Sequence, residues 1–103
     1  MRIPKQLIAA GRQFQIIFPH IFKERTDVFG LTDFATGKIF ITDKDNAGRT
    51  LDEAATEITF WHEIFHVIDS AYCCEMIGKQ ANKEDLIEGL AQGMYQVLHD
   101  NKL

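Results

Sequence analysis

The first half of the chain alternates hydrophobic and polar residues with the two-residue period of β-strands. Phe14–Phe18 is rich in β-branched and aromatic residues and ends before Pro19. Val28–Asp33 and Lys38–Thr42 show the same alternation on either side of a short turn. Gly37, in that turn, supplies the positive φ that a tight hairpin needs. The pattern therefore predicts three strands.

The second half changes to the 3.6-residue period of α-helices. A long first helix is expected to start at an N-cap on Thr50, with Glu53 completing a capping box. No Gly or Pro interrupts it before Gly78, which is a natural C-terminal stop. Its buried stripe is expected to comprise Ala54, Ile58, Trp61, Phe65 and Ile68.

A second helix is expected to begin near Asn82, an effective N-cap, and to end near Asp100. Between the strands, residues 21–26 are charged and predict a helical turn or a loop, and residues 43–48 predict a loop. Strands followed by helices predict an α+β fold, with a small three-stranded twisted sheet and two helices in one domain, residues 1–103. The apolar face of the second helix is predicted to contain Leu86, Ile87, Leu90, Ala91, Met94, Val97 and Leu98.

Composition narrows the class of protein. A hydrophobic content of 46% argues against disorder, and a net charge of -4 without a basic block gives no footprint for nucleic-acid binding. We expect no signal peptide, and no segment approaches the roughly 20 apolar residues that span a membrane. The neighbours Cys73 and Cys74 fit a reducing compartment better than a disulfide. These features predict a cytoplasmic protein that binds neither nucleic acid nor membrane, and they give no signal for an oligomeric state.

The candidate chemistry lies in residues 62–66, which read HExxH. Residues four apart on a helix lie one above the other, so the imidazoles of His62 and His66 converge on one point. Two neutral imidazoles are good zinc ligands and leave room for a third protein ligand and a water. Glu63 follows the first histidine and is suited to act as a general base. The motif predicts one Zn²⁺ per chain.

The third ligand is expected to come from the second helix. The longer pattern HExxHxxGxxH fails, because Asp69 and Tyr72 stand at its glycine and final histidine positions. Glu84 and Glu88 lie one turn apart and compete for the role. We prefer Glu88, because Glu84 lies in the first helical turn, where the helix dipole favours any acid. The other glutamate is then expected to orient a histidine.

Four further residues have open interpretations. Asp69, one turn beyond His66, is either a partner of a histidine or a solvated helix residue, with metal binding less favoured. Tyr72, Tyr95 and His99 are candidates to stabilise an oxyanion, although a role in the core or on the surface is preferred for each.

These segments together resemble the gluzincin metallopeptidases in miniature, and especially the small HExxH proteins common in phage and prophage genomes. Residues Thr59–Asp69 carry the motif, and residues Glu84–Leu98 carry both glutamates. The likeness extends to the hairpin at Phe29-Gly30 and Ile39–Ile41, and so covers most of the chain.

The resemblance implies a zincin-like fold, in which a small twisted sheet precedes an active-site helix and a glutamate helix. It implies that zinc is held by His62, His66 and Glu88, or alternatively Glu84, with Glu63 as the base. The expected activity is hydrolysis of a peptide or protein substrate, in a bacterial host's cytoplasm if the chain is phage-encoded.

Two structural expectations also follow from the resemblance. An edge strand, here assigned to Lys38–Thr42, would pair with extended substrate. The tail His99–Leu103 would fill the cleft in a latent form. A non-catalytic metal-binding module and an interaction protein with an accidental motif are the rival hypotheses.

Overall fold

The computed structural model describes residues 1–23 and 28–103. The expected turn or loop at residues 21–26 extends into 24–27, which lie outside the described residues. The arrangement is α+β, as the sequence predicts, with the sheet before the helices. The elements in chain order are β1 (Gln6–Ala9), β2 (Arg12–Ile17), β3 (Gly30–Asp33), β4 (Lys38–Ile41), α1 (Glu53–Tyr72) and α2 (Lys83–Asp100).

The sheet is mixed and has four strands in the order β1-β2-β4-β3, so the prediction of three strands is wrong. The strand that was missed, β1, forms an antiparallel hairpin with β2. Ala10 and Gly11 join the two strands, and both have positive φ, as a two-residue hairpin turn requires. A glycine between two alternating segments was the available signal for this hairpin.

Strand β4 lies inside the sheet, parallel to β2 and antiparallel to β3. The edge strand beside the helices is therefore β3, and the assignment of Lys38–Thr42 as the edge is wrong. The alternation on β4 points Ile39 and Ile41 into the core, where both are fully buried. Along β3 and the residue that precedes it, the same alternation leaves Phe29 and Leu31 about 40% exposed.

Helix α1 starts later and ends earlier than expected. Asp52, rather than Thr50, is the N-cap, because its carboxylate accepts a hydrogen bond from the N–H of the third residue on, at 2.8 Å. The helix ends at Tyr72 and not near Gly78. Cys74 and the residue after it have positive φ, which is incompatible with continuing a right-handed helix.

Helix α1 lies between the sheet and α2, so burial extends around much of its circumference. The five residues of the predicted stripe are only partly buried, because they lie to one side of the α1 residues that face the sheet. The core against the sheet instead contains Phe60, Ile64 and Val67 from α1, packed on Phe14, Ile16, Ile39 and Ile41.

Helix α2 follows Asn82, as predicted, although that side chain makes no capping hydrogen bond. Among the described elements only α1 packs against α2, so its buried face is narrow. Ile87 and Ala91 are buried, whereas Leu86, Leu90 and Val97 are 39–53% exposed. Of the seven residues of the predicted apolar face, three are exposed, two are half-buried and two are buried. No helix within the described part of the chain is both long and apolar enough to cross a membrane.

Candidate metal centre

Three side chains from α1 and α2 converge at one point. His62 and His66 lie one turn apart on α1, and their Nε2 atoms are 3.2 Å apart. Glu84, in the first turn of α2, places Oε2 3.0 Å from His62 Nε2 and Oε1 3.4 Å from His66 Nε2. One donor atom from each of the three residues lies within 4.8 Å of the others. The helical spacing of the motif therefore does bring the two imidazoles together.

The donor set and its separations fit a tetrahedral metal ion. Ligand atoms held roughly 2.0–2.1 Å from a zinc ion at tetrahedral angles lie roughly 3.3 Å from one another. The two Nε2 atoms are 3.2 Å apart, and each lies 3.0 or 3.4 Å from an oxygen of Glu84, with His62 nearest Oε2 and His66 nearest Oε1. Two imidazoles and one carboxylate also leave a fourth position open, which is the arrangement of a catalytic site.

Glu88 contacts the opposite side of His62. Its Oε1 lies 2.9 Å from His62 Nδ1, and Gln92 Nε2 donates to its Oε2 at 2.9 Å. A carboxylate at Nδ1 holds the proton on that nitrogen, which leaves the Nε2 lone pair free for a metal. The geometry therefore favours Glu84 as the third ligand and Glu88 as the residue that orients His62. This reverses the preference drawn from the sequence.

Glu63 is buried between α1 and β3, where only 5% of it is exposed. Thr32 Oγ1, on β3, donates a hydrogen bond to Glu63 Oε1 at 2.7 Å. Burial raises the pKa of Glu63 above its usual value, and this outweighs the lowering effects of the Thr32 hydrogen bond and the two imidazoles. A carboxylate with a raised pKa is better suited to return a proton after accepting one.

The close approach of β3 to Glu63 depends on Gly30. A Cβ at this position would lie 2.9 Å from Glu63 Cγ, Glu63 Oε2 and Thr59 Cγ2. Non-bonded carbon and oxygen atoms do not approach each other this closely without steric overlap. A side chain at this position would therefore displace the carboxylate or the strand. The glycine thus lets the edge strand lie directly against the general-base candidate.

Asp69 fits neither of its sequence-based interpretations. It is buried, with 4% exposed, and its carboxylate accepts hydrogen bonds from the N–H groups of Ile77 at 3.0 Å and Gly78 at 2.8 Å. Within the described residues, no hydrogen bond joins its carboxylate to a histidine. Its contacts stabilise the chain reversal between α1 and α2, and thereby help to set where Glu84 meets the motif.

The three candidates for an oxyanion donor lie elsewhere. Tyr72 Oη accepts a hydrogen bond from Ala10 N–H at 2.7 Å. His99 Nε2 lies 3.0 Å from the buried carboxylate of Glu57, and the ring of Tyr95 stacks on His99 at 4.2 Å. Burial raises the pKa of Glu57, but hydrogen bonds from His99 and the terminal amine outweigh it and bring the pKa below its usual value.

A cleft of about 750 Å³ opens between β3 and the two helices, over the convergent side chains. Its lining includes the polar residues His62, Glu63, His66, Glu84 and Glu88, together with several apolar side chains. Of the residues that the structure describes, neither the oxyanion candidates nor the tail 99–103 lines this cleft. The prediction that the tail fills the cleft is therefore wrong for this structure. The apolar lining comprises Val28, Phe29, Leu31, Phe34, Leu51, Ala55 and Ile58.

Sequence reasoning missed three residues of the site. Gln92 stands four residues after Glu88, and this helical spacing was a readable signal for their hydrogen bond. Thr32 and Gly30 gave no signal, because their contacts with Glu63 depend on how β3 packs against α1.

Comparisons of the chain with protein-family models, with curated proteins and with solved structures find no match.

Proposed function

We propose that this chain is a zinc-dependent peptidase, with His62, His66 and Glu84 as ligands and Glu63 as the general base. One observation carries the proposal: a buried carboxylate lies in the same cleft as a convergent His-His-Glu group that fits a tetrahedral metal. A metal site used only for stability would gain nothing from a buried carboxylate that binds no metal, since such burial is costly.

The chain's own residues supply the proton transfers. When bound, zinc would polarise the substrate carbonyl and lower the pKa of a water to about 7. Glu63 accepts the proton of the attacking water and donates it to the leaving nitrogen. Thr32 fixes the rotamer of Glu63 through their 2.7 Å hydrogen bond, and Glu88 fixes the ring of His62. Proton transfer therefore takes place between groups that are already oriented.

Strand β3 is the proposed substrate platform. One of its sides pairs with β4, and no strand among residues 1–23 and 28–103 pairs with the other. Gly30, Leu31 and Thr32 line the cleft, so an extended peptide can add to this edge with its backbone beside Glu63. The sheet, motif helix and glutamate helix also support the proposed likeness to a minimal zincin of the phage-associated gluzincin type.

A second candidate is a non-catalytic metal-binding module. It is favoured by one observation, that Tyr72, Tyr95 and His99 lie away from the cleft within the described structure. A peptidase then relies on zinc and on backbone or small polar groups to stabilise the oxyanion. The two candidates share the metal site and differ only in hydrolysis.

The test uses chelator-stripped protein reloaded with zinc and incubated with denatured β-casein. The wild type should cleave it, and Glu63→Gln should bind zinc equally well without cleavage. Glu53→Gln, an exposed change on the same helix, is the matched control and should remain active. Zinc binding without cleavage in the wild type would favour the second candidate. Equal cleavage by Glu63→Gln would rule out Glu63 as the base.

A further inference from the structure

The outer face of α2 presents a row of exposed residues with a regular spacing. Leu86, Leu90 and Val97 are 39%, 42% and 53% exposed, although they are large and apolar. A Cβ added at Gly93 would meet no atom within 4 Å, so this face is open. The complete row alternates steps of three and four residues, and comprises Lys83, Leu86, Leu90, Gly93, Val97 and Asp100, all exposed.

Alternating steps of three and four place residues along one seam of a helix, as in coiled coils. The seam lies on the far side of α2 from the metal centre, because Leu86 and Glu88 are two residues and about 200° apart around the helix. An occupant of the seam would therefore leave the cleft open. No described element of the chain covers it.

We propose that the seam is the interface of a two-fold symmetric dimer, in which α2 of a second copy packs antiparallel on α2. A two-fold axis between residues 91 and 92 makes the seam complementary to itself. Lys83 then faces Asp100 of the second copy at both ends of the interface. Inside them, Leu86 faces Val97, and the side chain of Leu90 enters the space above Gly93.

The charges select the antiparallel arrangement. In a parallel pair, Lys83 would face Lys83 and Asp100 would face Asp100, which places like charges together at both ends. Gly93 would also face Gly93 and leave a gap where the antiparallel pair places Leu90. The charged residues at the two ends and the apolar residues in the middle of the seam therefore both favour the antiparallel orientation.

The size of α2 sets the strength of the interaction. Eighteen residues span about 27 Å, so two such helices make a contact near the lower limit for specific interfaces. We expect a reversible dimer with a dissociation constant on the order of 10 µM, rather than an obligate one. The dimer does not depend on zinc or on catalysis.

The test is analytical ultracentrifugation of the full chain from about 1 µM to about 1 mM, a range that brackets weak dimers. Wild type should change from monomer to dimer. Lys83→Glu and Asp100→Lys should each weaken the dimer about tenfold or more, because each places like charges at both ends. An equimolar mixture of the two variants should recover the wild-type affinity, since every end then pairs opposite charges.

Lys5→Glu, an exposed change of the same charge away from α2, is the matched control and should leave the dimer intact. Far-ultraviolet circular dichroism checks that each variant is folded. A monomeric wild type at about 1 mM would overturn the proposal. A mixture that stays monomeric, or a control that dissociates as the seam variants do, would overturn the antiparallel register. Zinc binding and casein cleavage report on the metal centre independently of these outcomes.

Discussion

Glu88 Oε1 lies 2.9 Å from His62 Nδ1, on the side of the imidazole that faces away from His66 and Glu84. The two residues belong to neighbouring helices and stand 26 positions apart in the chain. The Nδ1 edge of the ring is thereby anchored by a carboxylate, and Nε2, which lies 3.0 Å from Glu84 Oε2, faces the metal position. Because Glu88 orients His62 whereas Glu84 is the proposed metal ligand, substitutions of the two glutamates should differ in their effect on zinc binding.

Replacing the proposed third ligand should nearly abolish zinc binding. In Glu84→Ala, only two imidazoles remain at the site, so zinc affinity should fall by more than about 100-fold, beyond the usual effect of losing an outer partner. Competition with a chelator of known affinity measures the loss. Asp85→Ala, exposed in the same helical turn, is the matched control and should keep the wild-type affinity.

Replacing the orienting glutamate should have a smaller effect. Glu88→Ala frees the ring of His62 but keeps all three ligands, so zinc affinity should fall by about 10 to 100-fold. Glu88→Gln keeps an oxygen that can accept from Nδ1–H and should lose less. A larger loss for Glu88→Ala than for Glu84→Ala would reverse the assignment.

Removing the charge of Glu63 should stabilise the metal-free protein. The pKa of Glu63 is raised by burial above its usual value of 4.5, so the folded state holds this proton more tightly than the unfolded state. Wild type should therefore lose stability relative to Glu63→Gln as the pH rises from about 4.5 through the raised pKa, with the full difference present above it. Urea unfolding between pH 4.5 and 7.5 measures this.

At neutral pH, Glu63→Gln should therefore unfold at a higher urea concentration and at a higher Tm than the wild type. Glu53→Gln serves again as the exposed control and should show no such pH-dependent gain. A Glu63→Gln protein that is less stable at pH 7 would contradict the cost assigned to the buried charge.

Adding a methyl group to Gly30 should disturb the base without removing the metal site. The new Cβ would lie 2.9 Å from Glu63 and Thr59 atoms, so Gly30→Ala should cost about 1–3 kcal/mol of stability. Zinc affinity should stay close to wild type, while casein cleavage falls. Gly89→Ala, where a Cβ meets open space in α2, should instead gain about 0.5–1 kcal/mol. Equal stabilities for the two variants would contradict the packing described.

Asp69→Ala should destabilise the fold without removing a ligand. The change leaves two backbone N–H groups, those of Ile77 and Gly78, without their acceptor, at a cost of about 2–4 kcal/mol. Chemical unfolding measures the loss, and zinc stoichiometry at low temperature should remain one per chain. Loss of zinc from a variant shown to be folded would instead indicate that Asp69 binds metal.

What the sequence predicted correctly depends on contacts within one element. His62 and His66 converge because four residues make about one turn, and the hairpin turn at Gly37 follows from a positive φ of 69°. The choice between Glu84 and Glu88 depends on how far α2 is displaced along α1. No periodicity within one helix encodes that displacement.

The same limit explains two features of the fold that the sequence did not predict. Hydrophobic spacing shows that Leu86, Leu90 and Val97 share one face with each other, but it does not show whether another element covers that face. The position of β3 at the sheet edge likewise depends on the parallel pairing of β2 with β4. Strand pairing between segments that are distant in the chain has little effect on the local pattern of hydrophobic and polar residues.

The central claim is that His62, His66 and Glu84 form one zinc site, and the most direct measurement is a zinc titration of chelator-stripped protein followed by native mass spectrometry. The wild type should bind one zinc per chain. His66→Ala and Glu84→Ala should each bind none under the same conditions, while His20→Ala, which changes a histidine outside the site, should bind one. A wild type that takes up no zinc, or a His66→Ala variant that binds zinc as tightly as wild type, would contradict the claim.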